Sequence, residues 1–276
     1  MVSLKESFYL EDRVAVITGG AGILGEKHAE AIAEFGGIPI LIDIDKTNAQ
    51  KKADSISKKY GTKCEYFHCD ITNEKQIIDI REKLLSKYNH VDILINNAAI
   101  DSKVESKSKK SQSRLESFSL DQWNLEISVG LTGAMLCSRV FGENMAKKGK
   151  GVILNIASDL GVIAPDQRIY KKKGFPDAQQ PVKPVTYSVV KHGLIGLTKY
   201  LASYWANNNV RVNAISPGGI YNNQDPEFVS KLTNLIPMGR MAQKDEYKAA
   251  IIFLISDASS YMNGANLIID GGRSII

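Results

Sequence analysis

A doubly wound α/β fold, with a mostly parallel sheet covered by helices on both faces, is what this 276-residue sequence predicts. Three observations predict it. Seven short β-rich runs, at 14–17, 38–42, 65–68, 91–95, 152–156, 210–214 and 266–269, alternate with helical patterns, and such alternation calls for right-handed crossovers between parallel strands. A glycine-rich turn, TGGAGILG over 18–25, leads from the first run into a helix. The second run, IPILID, ends in a carboxylate at Asp43. No linker divides the chain, so one domain over 1–276 is expected.

Taken in order, the first run VAVI feeds a turn whose three spaced glycines, Gly19, Gly22 and Gly25, let backbone N–H groups approach a pyrophosphate. The helix N-terminus that follows favours its negative charge. Asp43 stands 18 residues after Gly25, where an acceptor for both ribose hydroxyls of an adenosine is expected. An Asp there repels a 2′-phosphate, and no Arg or Lys in the turn offsets it. NAD(H) is therefore favoured over NADP(H), with Lys46 the one contrary neighbour. Asp43 has a second possible duty, as N-cap of a helix starting near Lys46. Two long helices are expected at about 120–147 and 185–207, where apolar residues recur at helical spacing without an internal proline. The Ser/Lys-rich stretch 101–119 and the Pro/Lys-rich stretch 165–184 interrupt the rhythm after strand ends, the ligand side of an open α/β sheet.

Composition narrows the function classes. The longest apolar stretches, such as 249–255, fall short of the roughly 18 residues of a membrane helix, and residues 1–12 lack the features of a signal peptide. A soluble, cytoplasmic protein is expected, with no membrane partner. Cys64, Cys69 and Cys137 stand in no metal-binding spacing and cannot pair completely, so they are read as reduced and structural. The net charge of +5 comes from lysines gathered at 103–110 and 171–173. No aromatic-rich motif accompanies them, and nucleic-acid binding is not expected.

TYSVVKHGLIG, over 186–196, carries Tyr187 and Lys191 four residues apart, on one face of a helix. It is the one Tyr-x-x-x-Lys among eleven tyrosines. A phenol is a poor base at neutral pH, and bringing its pKa near neutrality takes about 4 kcal/mol of differential stabilisation of the phenolate. A neighbouring ammonium and an oxidised nicotinamide can supply that. The pair can then take a proton from an alcohol as hydride leaves the carbon, or return it to a carbonyl.

With these residues in place, the chain resembles the short-chain dehydrogenase/reductase family, in its shorter single-domain branch. The resemblance implies a Rossmann-like fold and a set of roles. CDIT supplies Asp70, beside the adenine, and Ile71; NNAA supplies Asn97 and Ala98, lining the cofactor; NIASDLG supplies Ser158, which hydrogen-bonds the substrate carbonyl. YSVVK supplies the catalytic Tyr187 and Lys191, the lysine also reaching the nicotinamide ribose. NAISPGGI supplies Pro217, Gly218 and Ile220 under the nicotinamide, while Thr18, Gly19, Gly22, Ile23, Leu24, Gly25 and Asp43 complete the cofactor set. VDILINNA and IIDGG match strand signatures. A homodimer or homotetramer built on the two long helices is also implied.

Some positions depart from the family pattern. Ile23 stands where the shorter branch usually has Gly, and the spacing of Gly19, Gly22 and Gly25 looks like that of the longer epimerase and dehydratase branch. Gly130, in SVGLTGA, replaces the usual Asn that helps hold a water joining the lysine to solvent. Asn222 stands where many relatives have Thr beside the cofactor amide. Ser158 and Tyr187 are 29 residues apart, about twice the family's separation, and the excess is the loop 164–184. Its Asp166, Gln167, Arg168, Tyr170 and lysines suit a hydroxyl-rich or anionic small-molecule substrate, or else form a surface or interface loop. Part of this region is also similar to bacterial short-chain enzymes of surface-sugar or flagellin modification, which implies a sugar substrate. The expected activity is NAD(H)-dependent interconversion of a secondary alcohol and a ketone. Two alternatives stay open: a non-catalytic dinucleotide sensor or scaffold, motivated by Gly130, and an NAD-retaining epimerase or dehydratase, motivated by the glycine spacing.

Overall fold

In the computed structural model, which describes residues 3–100 and 113–276, all seven strands lie in one parallel sheet in the order β3-β2-β1-β4-β5-β6-β7. They are β1 (Val14–Thr18), β2 (Ile38–Asp43), β3 (Glu65–His68), β4 (Ile93–Asn96), β5 (Gly151–Ile156), β6 (Val210–Pro217) and β7 (Asn266–Ile269). The helices are α1 (Ile23–Glu34), α2 (Lys46–Tyr60), α3 (Glu74–Tyr88), α4 (Leu120–Ile127), α5 (Gly133–Lys148), α6 (Val185–Tyr204), α7 (Pro226–Thr233) and α8 (Lys248–Ile255). Most of the polar stretch expected at 101–119 lies outside the described residues, as does the lysine cluster at 103–110.

Alternate strand residues face opposite helix layers, as the pleat requires. Ala15 and Ile17 of β1 join a core with Ala29 and Ile32 of α1, Ile56 of α2 and Ile251 of α8. Val14 and Val16 join the other core, with Ile77 and Leu84 of α3, Phe141 and Met145 of α5, and Leu201 of α6. Burial on both faces explains why the central strands read as unbroken apolar runs rather than alternating ones. Cys64, Cys69 and Cys137 are all buried thiols; burial pushes Cys64 up to about 12 and Cys69 to about 11, so they pack as inert small side chains.

Several element boundaries shift by one to three residues from the sequence expectation, among them the start of β4 and the long helix after it. The fourth strand starts at Ile93 rather than Val91, and just before it the Asp92 carboxylate accepts from the Val14 amide at 2.9 Å and from Lys148 at 2.9 Å. The helix expected over 120–147 runs from Leu120 to Lys148 but widens into a π turn at Ser128–Thr132, between α4 and α5. By length and composition this is the one helix among the described residues that could cross a membrane, yet more than half of its apolar window is buried within the fold.

Candidate active site

The glycine turn sits where β1 gives way to α1, against the ends of β2 and β4. Gly19 has φ +63°, and a Cβ there would stand 2.8 Å from the Ala98 Cα. A Cβ at Gly25 would strike the Gly19 carbonyl oxygen. Both positions therefore need glycine for close backbone packing. Gly22 caps α1, leaving the N–H groups of Ile23 and Leu24 at the helix start, where anions bind. Thr18 and Asn97 stitch the turn to β4: the Thr18 hydroxyl accepts from the amides of Asn97 and Ala98, each at 2.9 Å, and the Asn97 side chain donates to the carbonyls of Thr18 and Gly19.

Asp43 ends β2 beside this turn. One carboxylate oxygen accepts from the Ala21 amide at 2.9 Å and the other from the Asp45 amide at 2.9 Å. The capping duty considered for Asp43 belongs to Asp45, which accepts from the Asn48 amide that opens α2. Asp43 is thus fixed by backbone amides at the turn itself, where its oxygens retain lone pairs for hydroxyl donors. Asp70 follows β3, one oxygen held by Thr72, and the adjacent Ile71 is buried against Gly133. Lys52 reaches back from α2 to the Gly22 carbonyl at 3.2 Å, with Glu26 on the same ammonium at 2.8 Å.

The chemical end lies across the carboxyl ends of β4, β5 and β6. A cavity of about 800 Å³ there is lined by Ser158, Tyr187 and Lys191, by Ile23, Leu24 and Asn97 from the nucleotide end, and by Pro217, Gly218, Ile220 and Asn222. Lys191 is buried; its Nζ donates to the Ile156 carbonyl at 2.7 Å and lies 5.7 Å from the centre of the Tyr187 ring. Ser158 follows β5, its hydroxyl donating to Asp159 at 2.8 Å. Asp159 is in turn paired at 2.7 Å with Arg273 of the C-terminal tail, and both are almost fully buried. The sequence gives little sign of this pair, since its partners are 114 residues apart.

Beneath the cavity, the Asn96 side chain donates to Ser138 at 2.9 Å and to Asn155 at 2.8 Å, and Asn155 donates to Thr198 at 2.8 Å. This buried network locks β4 and β5 to α5 and to α6, the helix that carries Tyr187 and Lys191.

The long loop divides its polar residues between two tasks. Asp166 pairs with the exposed Arg168 at 2.6 Å, which holds its carboxyl down at about 2, and neither lines the cavity. Gln167 is also spent within the loop. Tyr170, Lys171 and Lys172 do line the cavity, together with Lys183, which sequence reasoning did not single out. Asn223, Gln224, Phe228 and Lys231, on and before α7, were also missed; their only sequence signal is their place after Pro217.

The structure also accounts for Gly130. It is buried in the π turn, and a Cβ there would stand 2.6 Å from Cγ1 of Val190, the α6 residue next to Lys191. Val190 fills the room that any side chain at 130 would need.

Residues 13–170 match the short chain dehydrogenase family model, and residues 176–274 match the enoyl-(acyl carrier protein) reductase model. The chain is 33% identical to an NADP-dependent mannitol dehydrogenase of Alternaria alternata, over 99% of this chain and 96% of that protein. It is 31% identical to an NAD-dependent glycerol dehydrogenase of Listeria innocua, over 98% and 97%. A solved gluconate 5-dehydrogenase from Burkholderia cenocepacia, in complex with NADP and tartrate, superposes with a TM-score of 0.84 at 26% identity, covering 98% of each chain. The chain belongs to the short-chain dehydrogenase/reductase family. It is an oxidoreductase acting on CH–OH groups with a nicotinamide dinucleotide, which sets aside the sensor or scaffold alternative.

Proposed function

We propose that this enzyme interconverts a secondary alcohol and a ketone on an open-chain polyol or sugar-derived substrate, and that it uses NAD(H) in preference to NADP(H). The observation that carries the reading is the common wall formed by Ser158, Tyr187 and buried Lys191 on a cavity that reaches the glycine turn at Ile23 and Leu24. The polyol and gluconate enzymes among its relatives support the substrate class, and the weaker likeness to surface-sugar enzymes agrees with a sugar-derived molecule.

A dinucleotide fits the residues present. Gly19 and Gly25 leave no space for side chains at the turn, the start of α1 offers amides to a pyrophosphate, and Asp43 offers a carboxylate to the ribose. Asn97, Asp70, Pro217, Gly218 and Ile220 complete the set that would hold it, and when bound it supplies or accepts a hydride. The protein's part is proton transfer and orientation. Tyr187 takes the alcohol proton or returns one to the carbonyl. Lys191, anchored on the Ile156 carbonyl, stabilises the phenolate and reaches for the nicotinamide ribose. Ser158, its rotamer set by Asp159, orients the reacting oxygen. Lys52 does not reverse the cofactor preference, because Glu26 shares its charge.

Exposed Leu120 and Leu125 on α4, and Tyr200 and Tyr204 on α6, support assembly as a homodimer or homotetramer through these helices. Three inert thiols agree with residence in the cytoplasm.

The test is a fluorescence titration of the protein with NADH and with NADPH. Tighter binding of NADH is expected, with the difference reduced in Asp43→Asn. Equal or tighter binding of NADPH would overturn the preference, and binding of neither would overturn the whole reading.

A further inference from the structure

Ser158 opens a short turn that two other parts of the chain hold in place. On one side the turn packs against α6: a Cβ at Gly161 would stand 2.8 Å from the Lys191 carbonyl oxygen. On the other side lies the C-terminal tail. Gly271 and Gly272, with φ +68° and +88°, turn the chain back after β7. The Asp270 carboxylate fixes that turn by accepting from the amides of Gly272 at 2.9 Å and Ser274 at 2.8 Å. The tail thereby delivers Arg273 to Asp159, at 2.7 Å, where 6% and 4% of the two side chains are exposed. Ser158, Asp159, Arg273, Tyr187 and Lys191 line the same cavity.

The hydrogen bonds around Asp159 divide into one that can be released and two that stay. Its Oδ1 accepts from the Ser158 hydroxyl at 2.8 Å and from the Leu160 amide at 2.8 Å, while Oδ2 accepts from Arg273. The Leu160 amide also lies 3.2 Å from the Ser158 Oγ. Ser158 has a single proton to donate. It is given to Asp159 here, yet orienting a substrate carbonyl requires it on the reacting oxygen. When the proton turns there, Oδ1 keeps the Leu160 amide, Oδ2 keeps the guanidinium, and Oγ stays on the same amide. The obstacle is charge. A bare buried carboxylate grips a hydroxyl proton about twice as strongly as a neutral acceptor does. Its field also opposes the negative charge that gathers on the reacting oxygen as the alcohol loses its proton. Pairing with Arg273 offsets both effects.

We infer that Arg273 is a positioning residue for the reaction: by neutralising Asp159 it lets the Ser158 hydroxyl pass from its resting acceptor to the reacting oxygen. No covalent bond changes in this step, since one hydrogen bond is exchanged for another. The inference rests on the reading of Ser158 and Tyr187 as the residues at the reacting oxygen. It gives the tail after β7 a part in the chemistry beyond closing the fold.

The test follows NADH formation from NAD with whichever member of a panel of polyols and sugar acids the parent oxidises fastest, in variants first shown by fluorescence titration to bind NADH as the parent does. Ser158→Ala checks the underlying reading and should lower kcat at least about a hundredfold. Arg273→Met leaves the carboxylate without its cation, and a fall of about a hundredfold is expected in kcat, with KM within about threefold of the parent. Removing the carboxylate charge as well, in Asp159→Asn/Arg273→Met, should recover at least about tenfold, because the side-chain amide still accepts from Ser158 but carries no charge. A tail that merely anchors the turn predicts no recovery, since the double variant loses the same link. If the unpaired buried charge keeps Arg273→Met from folding, the double variant decides alone: kcat within about tenfold of the parent supports the inference, and a larger fall overturns it. A loss in Ser158→Ala with parent-like turnover in Arg273→Met, or no recovery in the double variant, would overturn the role of Arg273 and leave the dehydrogenase reading intact. Undiminished turnover in Ser158→Ala, or oxidation of no panel member by the parent, would instead sink the reading on which the inference rests, and the inference with it.

Discussion

Lys191 illustrates how the surroundings of one residue create its role: a lysine so buried is costly unless its ammonium is satisfied, and the Ile156 carbonyl at 2.7 Å meets that need while keeping the charge beside Tyr187. His28, on α1 beneath the glycine turn, is the opposite case. Its Nε2 has no hydrogen-bond partner among the described residues, and burial lowers its pKa to about 4, only partly offset by Asn97. The sign follows directly. Below the ordinary value of 6.5 the unfolded chain takes up a proton that folded His28 refuses, so stability falls as pH drops from 6.5 towards 4, by roughly 3 kcal/mol in all. Urea unfolding at both ends of that window should show a smaller acid loss in His28→Leu than in the parent; an equal loss would show that His28 is not its source. At this scale the sequence was most legible where the pattern is local. Tyr187 with Lys191, and Asp43 after the glycine turn, follow from spacing within one or two elements. Asp159 and Arg273 meet only through the tertiary fold, 114 residues apart, and no short-range pattern announces the pair.

Between elements, two junctions bear on the site. At the first, Gly130 in the π turn and Val190 on α6 share one volume, so a larger residue at 130 must displace the neighbour of Lys191. Gly130→Ala should cost about 1–3 kcal/mol by overpacking, and less in a Val190→Ala background, as residues in contact do not act additively. The same cost in both backgrounds would contradict the shared-volume account. At the second, Glu30 of α1 binds Lys27 at 2.8 Å, Lys59 of α2 at 3.0 Å and Lys248 of α8 at 2.8 Å. Burial alone would raise its pKa, but the three ammoniums outweigh burial and hold the carboxyl at about 2. Glu30→Gln leaves those charges facing one another. A loss of about 2 kcal/mol is expected in thermal or urea unfolding, shrinking as salt screens the lysines; no loss at low salt would mean the hub contributes nothing. The elements themselves were largely legible, because runs buried on both faces and amphipathic helices carry their own periodicity. The π turn at Ser128–Thr132 was not, since the helical spacing of apolar residues runs through it unbroken, and the close approach of Gly130 to Val190 shows only in the folded structure.

For the molecule as a whole, the strand order β3-β2-β1-β4-β5-β6-β7 sets everything else in place. The winding reverses at β1 and β4, and the crevice at their carboxyl ends receives the glycine turn on one side and α6 on the other. This arrangement was legible because βαβ crossovers have one handedness, so the alternation of runs nearly determines the topology. The division of labour within 164–184 was not legible, because which of its polar residues face the cavity depends on how Gln167 and Gln180 fold the loop back on itself. The central claim is that Tyr187 moves the proton while hydride passes between the substrate carbon and the nicotinamide. The most direct measurement is the rate of NADH formation from NAD with a panel of polyols and sugar acids, for the parent enzyme and for Tyr187→Phe, after showing that both bind NADH equally. The account predicts turnover by the parent and a fall of at least about a hundredfold in the variant; turnover that survives Tyr187→Phe undiminished would contradict it.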